Sequence, residues 1–252
     1  MPVGLGGEQG WWCPTLDDSP DDISGNGNNG TYLGGMGTVA DTGSGGTRAY
    51  SFDGTDDEID TGSTTILSNS VFTYAFWTNS APSPGGTSGL MGQWGNASNT
   101  RGPLAASSTI TTPSYTPVSF LYMSLATSYN PSQTLAGTAV AFDSTWHHVV
   151  CEFDGVNNET KIYVDGVLDA SKAVNVPNTV VQTTDLRFGT GSGGWHAGLM
   201  DDIRGYSRTL TQAEITHLAT ARGVLGGPGS DGYNAFTSAI YNPRNYNNTR
   251  YG

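Results

Sequence analysis

Short runs of alternating apolar and polar residues, each closed off by glycine, asparagine or aspartate, recur along this chain and restrict it to a sheet-built fold. Ala49–Asp53, Val71–Trp77, Ser119–Leu125, His148–Phe153, Lys161–Val164 and Asp185–Phe188 each place every second side chain on one face, the pattern of a half-buried strand. Thirty-six glycines and abundant Ser and Thr supply turns between them, so the fold class is all-β. Asp165-Gly166, between K-I-Y-V and V-L-D-A, predicts a two-residue hairpin in which both residues take positive φ. One helix is predicted over Thr211–Arg222: Thr211 caps it, Glu214 stands at capping-box spacing, Ile215, Leu218 and Ala219 form an apolar stripe, and Gly223 ends it.

A chain of 252 residues can bury a core without covalent staples. Cys13 and Cys151 are expected as buried thiols, with a disulfide between them as the alternative. Ten basic against twenty-two acidic residues give a net charge of −12, a field that repels nucleic-acid phosphates and anionic lipid surfaces, so nucleic acid is not an expected partner. No apolar run reaches bilayer-spanning length, and membrane insertion is not expected. The opening M-P-V-G-L-G-G-E-Q-G lacks the basic start and apolar core of a secretory signal. Past Gly223 the composition changes to one acid, two bases and five aromatics among Asn, Gly and Pro. Two units are therefore expected: a domain over 1–222 and an aromatic arm over 223–252 that lies on a neighbouring subunit or partner, with its own sandwich as the alternative template.

Four segments carry a resemblance: G-L-M-D-D-I-R-G-Y-S-R-T-L-T-Q-A-E at Gly198–Glu214, F-D-G-T-D-D-E-I at Phe52–Ile59, Y-V-D-G at Tyr163–Gly166 and W-H-H-V-V at Trp146–Val150. Together they resemble the laminin-G-like branch of the concanavalin A-like lectin/glucanase superfamily. The resemblance implies a two-sheet antiparallel jelly-roll sandwich with one short C-terminal helix covering a sheet edge or the sandwich end. W-W-C-P-T-L at Trp11–Leu16, followed by D-I-S-G-N-G-N-N-G at Asp22–Gly30, is similar to stand-alone proteins of this type encoded among phage structural genes. That similarity implies a non-enzymatic virion component, a capsid decoration, tail or fibre protein assembled in the host cytoplasm. Its expected partners are other virion proteins or copies of itself as a homo-oligomer, and cell-surface glycans. An extracellular carbohydrate-binding lectin is the alternative, and a glycoside hydrolase the third reading.

The hydrolase reading fails on one missing side chain. Related glucanases carry two glutamates around an aspartate on one strand, and retaining hydrolysis needs both carboxyls. Glu58-Ile59-Asp60 opens that pattern, but Thr61, Gly62 and Ser63 follow, none of which can protonate a leaving oxygen. His147 and His148 have no nucleophile motif beside them. In the Asp22–Gly30 loop, Asp22, Ser24 and Asn26 fall at alternate positions before Gly27, with the Asn28 carbonyl next, like the start of a calcium loop. Leu33 stands where an EF-hand needs glutamate, which excludes that motif. The resemblance places such a loop near the paired aspartates, so Asp201 or Asp202 would complete a structural Ca²⁺ shell; the alternative is that Asp and Asn form ion-free turns. For glycans the usable groups are aromatics expected to be exposed in loops, Trp11, Trp12, Trp94 and Trp195, with Trp94 and Trp195 as the ligand platform. The alternative is that they are core lids.

Overall fold

The computed structural model describes residues 4–67, 70–81, 88–94, 101–107, 118–121, 134–173, 184–191 and 194–228. Among these the strands are β1 (Glu8–Trp12), β2 (Thr31–Leu33), β3 (Gly37–Ala40), β4 (Arg48–Asp53), β5 (Glu58–Asp60), β6 (Val71–Asn79), β7 (Gly89–Trp94), β8 (Arg101–Ser107), β9 (Val118–Leu121), β10 (Thr134–Ala136), β11 (Trp146–Asp154), β12 (Glu159–Val164), β13 (Val167–Ala173), β14 (Arg187–Phe188), β15 (Thr190–Gly191), β16 (Gly194–Trp195) and β17 (Ala197–Tyr206), followed by helix α1 (Gln212–Leu218). They form two large antiparallel sheets and the separate two-stranded pair β15-β16. The first runs β13-β12-β11-β6-β17-β4-β3 with β1 also on β17, and the second runs β10-β9-β8-β7-β14-β5-β2.

Strand periodicity decides which side chains enter the sandwich. Phe72, Tyr74 and Phe76 of β6 and Val149, Cys151 and Phe153 of β11 point into the main core, where they meet Ile59, Met91 and Phe188 of the second sheet. The intervening Ala75 and Val150 belong to a separate cluster with Tyr163, Tyr206, Ile215 and Leu218. Helix α1 therefore lies on the outer face of the first sheet, where the expectation was an edge or an end. The strand face there is itself apolar and needs a cover.

Its capping box forms as predicted, with Glu214 N–H donating to Thr211 Oγ1 and Thr211 N–H to Glu214 Oε2. The helix stops at Leu218, short of the predicted Arg222. Arg222 is pulled out of helical register by tertiary partners: its guanidinium donates to the carbonyls of Asp41, Gly43 and Arg48 and to Asp41 Oδ1. Asp165 and Gly166 take φ of 51° and 81°, as the hairpin requires.

The boundary expected at 223 falls later. Gly223 N–H donates to Asp202, the Val224 carbonyl accepts from Arg204, and Val224 is buried in the helix cluster. Residues 223–228 thus belong to the sandwich, and the remainder of the predicted arm lies outside the described residues. Cys13 and Cys151 are both buried free thiols. The expectation of exposed Trp11 and Trp12 is overturned, because both are buried. Trp12 packs edge-on against Phe188 at 4.8 Å, and Trp11 lies under the Arg204 guanidinium at 4.0 Å.

Candidate functional site

The paired aspartates of β17 sit on a bulge. Asp201 opposes Trp77 and Arg204 opposes Ala75, so one extra residue is absorbed between them, and Asp202 takes φ of 48° there. Met200 and Ile203 stay in the core while Asp201 and Asp202 are left for the outer, helix-covered side. Asp202 Oδ1 accepts from Trp11 Nε1 at 2.6 Å and Arg204 Nε at 2.8 Å, and Oδ2 from Arg204 Nη2 at 3.1 Å and Gly223 N at 2.9 Å. Asp201 Oδ1 accepts from Asp202 N at 2.7 Å and is approached by Cys13 Sγ and Thr15 N; Oδ2 accepts from Thr15 Oγ1 and pairs with Arg222 at 3.3 Å. Burial pushes Asp201 up to about 7, with the Thr15 hydroxyl pulling the other way.

The N-terminal loop is organised in the same manner. Asp22 Oδ1 accepts from the N–H groups of Trp11 and Ser24, and Oδ2 from that of Asn28. Asn26 Nδ2 donates to the Glu8 carbonyl and to Ser24 Oγ, and the Asn28 carbonyl accepts from Trp12 Nε1. Trp11 thus bridges Asp22 to Asp202 through its backbone and its indole. With the oxygens of Asp22, Ser24, Asp201 and Asp202 and the Asn28 carbonyl turned to these donors, and the Asn26 amide spent on Glu8 and Ser24, the six residues do not fit a calcium shell, which needs oxygen lone pairs turned to one point.

On the second sheet, Glu58 and Asp60 share one guanidinium. Arg187 lies 3.3 Å from Glu58 and 2.9 Å from Asp60. Burial raises the Glu58 carboxyl and the Arg187 charge opposes the rise. Thr61, where the glucanase pattern continues, donates its hydroxyl to the Leu186 carbonyl at 2.8 Å. This strand has an ion-paired rung where the glucanase pattern has its first glutamate and its aspartate, and no carboxyl where the second glutamate would follow.

His147 has the outline of a relay, with Nδ1 2.7 Å from Asp165 and Nε2 2.9 Å from the Thr145 hydroxyl. Asp143 breaks it. That carboxylate lies 3.1 Å from Nε2 and accepts the Thr145 hydroxyl at 2.6 Å, while Asp165 foremost raises the imidazole, favouring a cation over a base. His148 and His196 are buried, and burial lowers each to about 4.

Trp195 is placed differently. The chain leaves the second sheet at β14, turns through the two-stranded β15–β16 hairpin and enters the first sheet at β17, so this hairpin crosses the end of the sandwich. His196, between β16 and β17, points inward, edge-on to Phe52 and 3.1 Å from Ser80 Oγ, and Trp195 before it is left 37% exposed. Beside it lies the turn Asp53–Asp57. Gly54, at φ of 82°, presses on Ala197 so closely that a Cβ would come within 2.8 Å, and Asp53 pairs with Ala197. The carboxylate oxygens of Asp53, Asp56 and Asp57 lie within 4.8 Å of one another, with Asp53 and Asp56 exposed. Trp195 is the one aromatic among the large exposed apolar residues described. Trp94 closes β7 opposite Arg101, and its side chain lies outside the described residues.

A two-sheet sandwich with no assembled acid pair in the described strands and one exposed tryptophan at its end is a lectin-like architecture. The chain belongs to the concanavalin A-like lectin/glucanases superfamily, whose laminin-G family profile matches residues 53–216. No curated protein sequence matches it. Among solved structures it is similar to domain 4 of AbnA, a GH43 extracellular arabinanase from Geobacillus stearothermophilus, in complex with arabinotriose. The identity is 17%, with 87% of this chain and 100% of that chain covered at a TM-score of 0.62. It is also similar to the receptor binding domain of botulinum neurotoxin C/D mosaic serotype, at 12% identity and a TM-score of 0.62, covering 84% of this chain and 51% of that one. The binding domain of Paraclostridial Mosquitocidal Protein 1 matches at 14% identity and a TM-score of 0.61, covering 81% and 49%. The chain spans about half the length of the two toxin domains.

Proposed function

We propose that this chain is a non-catalytic glycan-recognising module displayed on a phage particle, as a capsid decoration, tail or fibre component. The observation that carries the recognition part is the exposed Trp195 beside the Asp53–Asp57 turn. An indole face offers flat apolar area to the C–H face of a sugar ring, and adjacent carboxylates accept its hydroxyls. The Glu58–Arg187–Asp60 rung supports binding without turnover, because both carboxyls are held by one guanidinium and Thr61, Gly62 and Ser63 after them offer no carboxyl to protonate a leaving oxygen. The similarity to a domain bound to arabinotriose and to toxin binding domains favours this reading at the level of fold alone.

The particle setting rests on the similarity of Trp11–Leu16 and the following loop to phage-encoded proteins, on the acidic body, and on the five aromatics beyond residue 228. A secreted or surface lectin is the second reading, favoured by the same tryptophan. A glycan array with purified protein tests recognition: binding that Trp195→Ala weakens is expected, and binding indifferent to it would sink the site. Release of reducing sugar, abolished by Glu58→Gln, would overturn the non-catalytic reading. Mass spectrometry of intact particles tests the setting, since a stoichiometric virion protein is expected and recovery only from culture medium would favour the secreted lectin.

A further inference from the structure

We infer that the D-D-I-R segment of β17 is an arginine-locked clasp that fastens both ends of the described chain to the sandwich without a metal ion. A carboxylate offers about four lone-pair sites, and all four of Asp202 are taken by Trp11, Arg204 and Gly223. Asp201 is surrounded likewise by Cys13, Thr15, the Asp202 amide and Arg222. Every one of these groups presents a hydrogen to the carboxylates, in the space a cation would have to enter. Two permanent cations already stand there. Arg204 and Arg222 are 1% and 2% exposed, and each guanidinium lies over a tryptophan, Arg204 at 4.0 Å from Trp11 and Arg222 at 3.9 Å from Trp146. A divalent ion beside them would meet like charge with little water to screen it.

The partners of the two aspartates and of Arg204 also show what the clasp holds. Trp11 comes from β1 and Thr15 from the segment after it, while Gly223 and Val224 follow α1. One pair of carboxylates therefore joins residues more than two hundred positions apart in sequence, the function a bridging ion would otherwise serve.

Thermal melts of the full chain in EDTA and in millimolar CaCl₂ test the metal-free part. The same Tm in both is expected, and a rise with calcium that EDTA reverses would overturn it. Hydrogen exchange tests the clasp. In Asp202→Asn, amides of 8–12 and 223–226 are expected to exchange at least about tenfold faster, in both segments together, because one carboxylate restrains both. Loosening of one segment alone, or of neither, would overturn the inference. Should that variant fail to fold, Trp11→Phe removes one donor and keeps the ring under Arg204. The same paired loosening at smaller size is expected, with the melt still indifferent to calcium, and unchanged exchange in both segments would count against the clasp.

Discussion

Trp195 is exposed because His196 is not. His196 joins β16 to β17, and its burial against Phe52 and Ser80 leaves the preceding residue turned to solvent. Trp195→Ala should thus weaken glycan binding about tenfold, or ~1.4 kcal/mol, while leaving Tm within about a degree, since it removes surface and not core. Calorimetric titration beside a thermal melt separates the two, and a large fall in Tm would mean the indole is a packing group. The aspartates show the limit of reading residues alone. The spacing of Asp22, Ser24 and Asn26 announces oxygens at alternate positions, and a sequence cannot say whether an ion or an N–H faces them. Trp11 decided that question, and nothing in W-W-C-P shows that its indole reaches Asp202. The same holds for the histidines. His148 and His196 are held at about 4, well below the usual value near 6.5, by burial. A base with a depressed folded pKa contributes stability that is present above its unfolded value and is lost as pH falls from about 6.5 toward 4, at up to about 1.4 kcal/mol per pH unit for each group. His147, raised by Asp165 and Asp143, opposes this and contributes below its unfolded value, losing that contribution as pH rises through its folded one. Carboxyls raised by burial, Asp201, Glu152 and Glu58 among them, act in the same direction as His147 as pH falls, so the histidine contribution is read as a difference: His196→Gln should lose less Tm between pH 6.5 and 4.5 than the unsubstituted chain. Equal changes in the two proteins over that interval would contradict the assignment.

At the scale of elements, the strands and their turns were legible because alternation and D-G turns act locally. The long central pair β6 and β11 was recognisable from V-F-T-Y-A-F-W and H-V-V-C-E-F, and the structure extends both to nine residues. The start of α1 was legible for the same reason, since a capping box is a contact between residues three apart. Its end was not, because Arg222 answers to Asp41 and Gly43 far away in sequence. Thr211→Ala should cost about 1 kcal/mol through loss of the cap, a fall in Tm of about 2–4 °C for a domain of this size. Scanning calorimetry checks it, and a fall much beyond that would show that α1 does more than cover Ala75, Val150 and Tyr206.

For the molecule as a whole, the position of the arm's root distinguishes two truncations. A chain ending after Arg222 loses Gly223 and Val224 from Asp202 and Arg204, leaving buried charge short of partners, and should melt well below the full chain. A chain ending after Pro228 keeps those contacts and is expected to melt close to the full chain as an isolated molecule, while failing to join particles if residues 229–252 lie on a partner. Equal melting of both truncations would contradict the role assigned to 223–228, and full incorporation of the longer one would contradict that of the arm. A last consequence follows from the direction of β17. Glu8 pairs with Tyr206 at its far end, whereas Trp195 precedes Ala197 at its near end. Nine strand steps of roughly 3.3 Å put about 30 Å between them. Whatever is anchored ahead of Gly4, whether a sensor chip, a fluorescent reporter or a neighbouring protein, therefore sits at the opposite pole from the indole and leaves it facing outward.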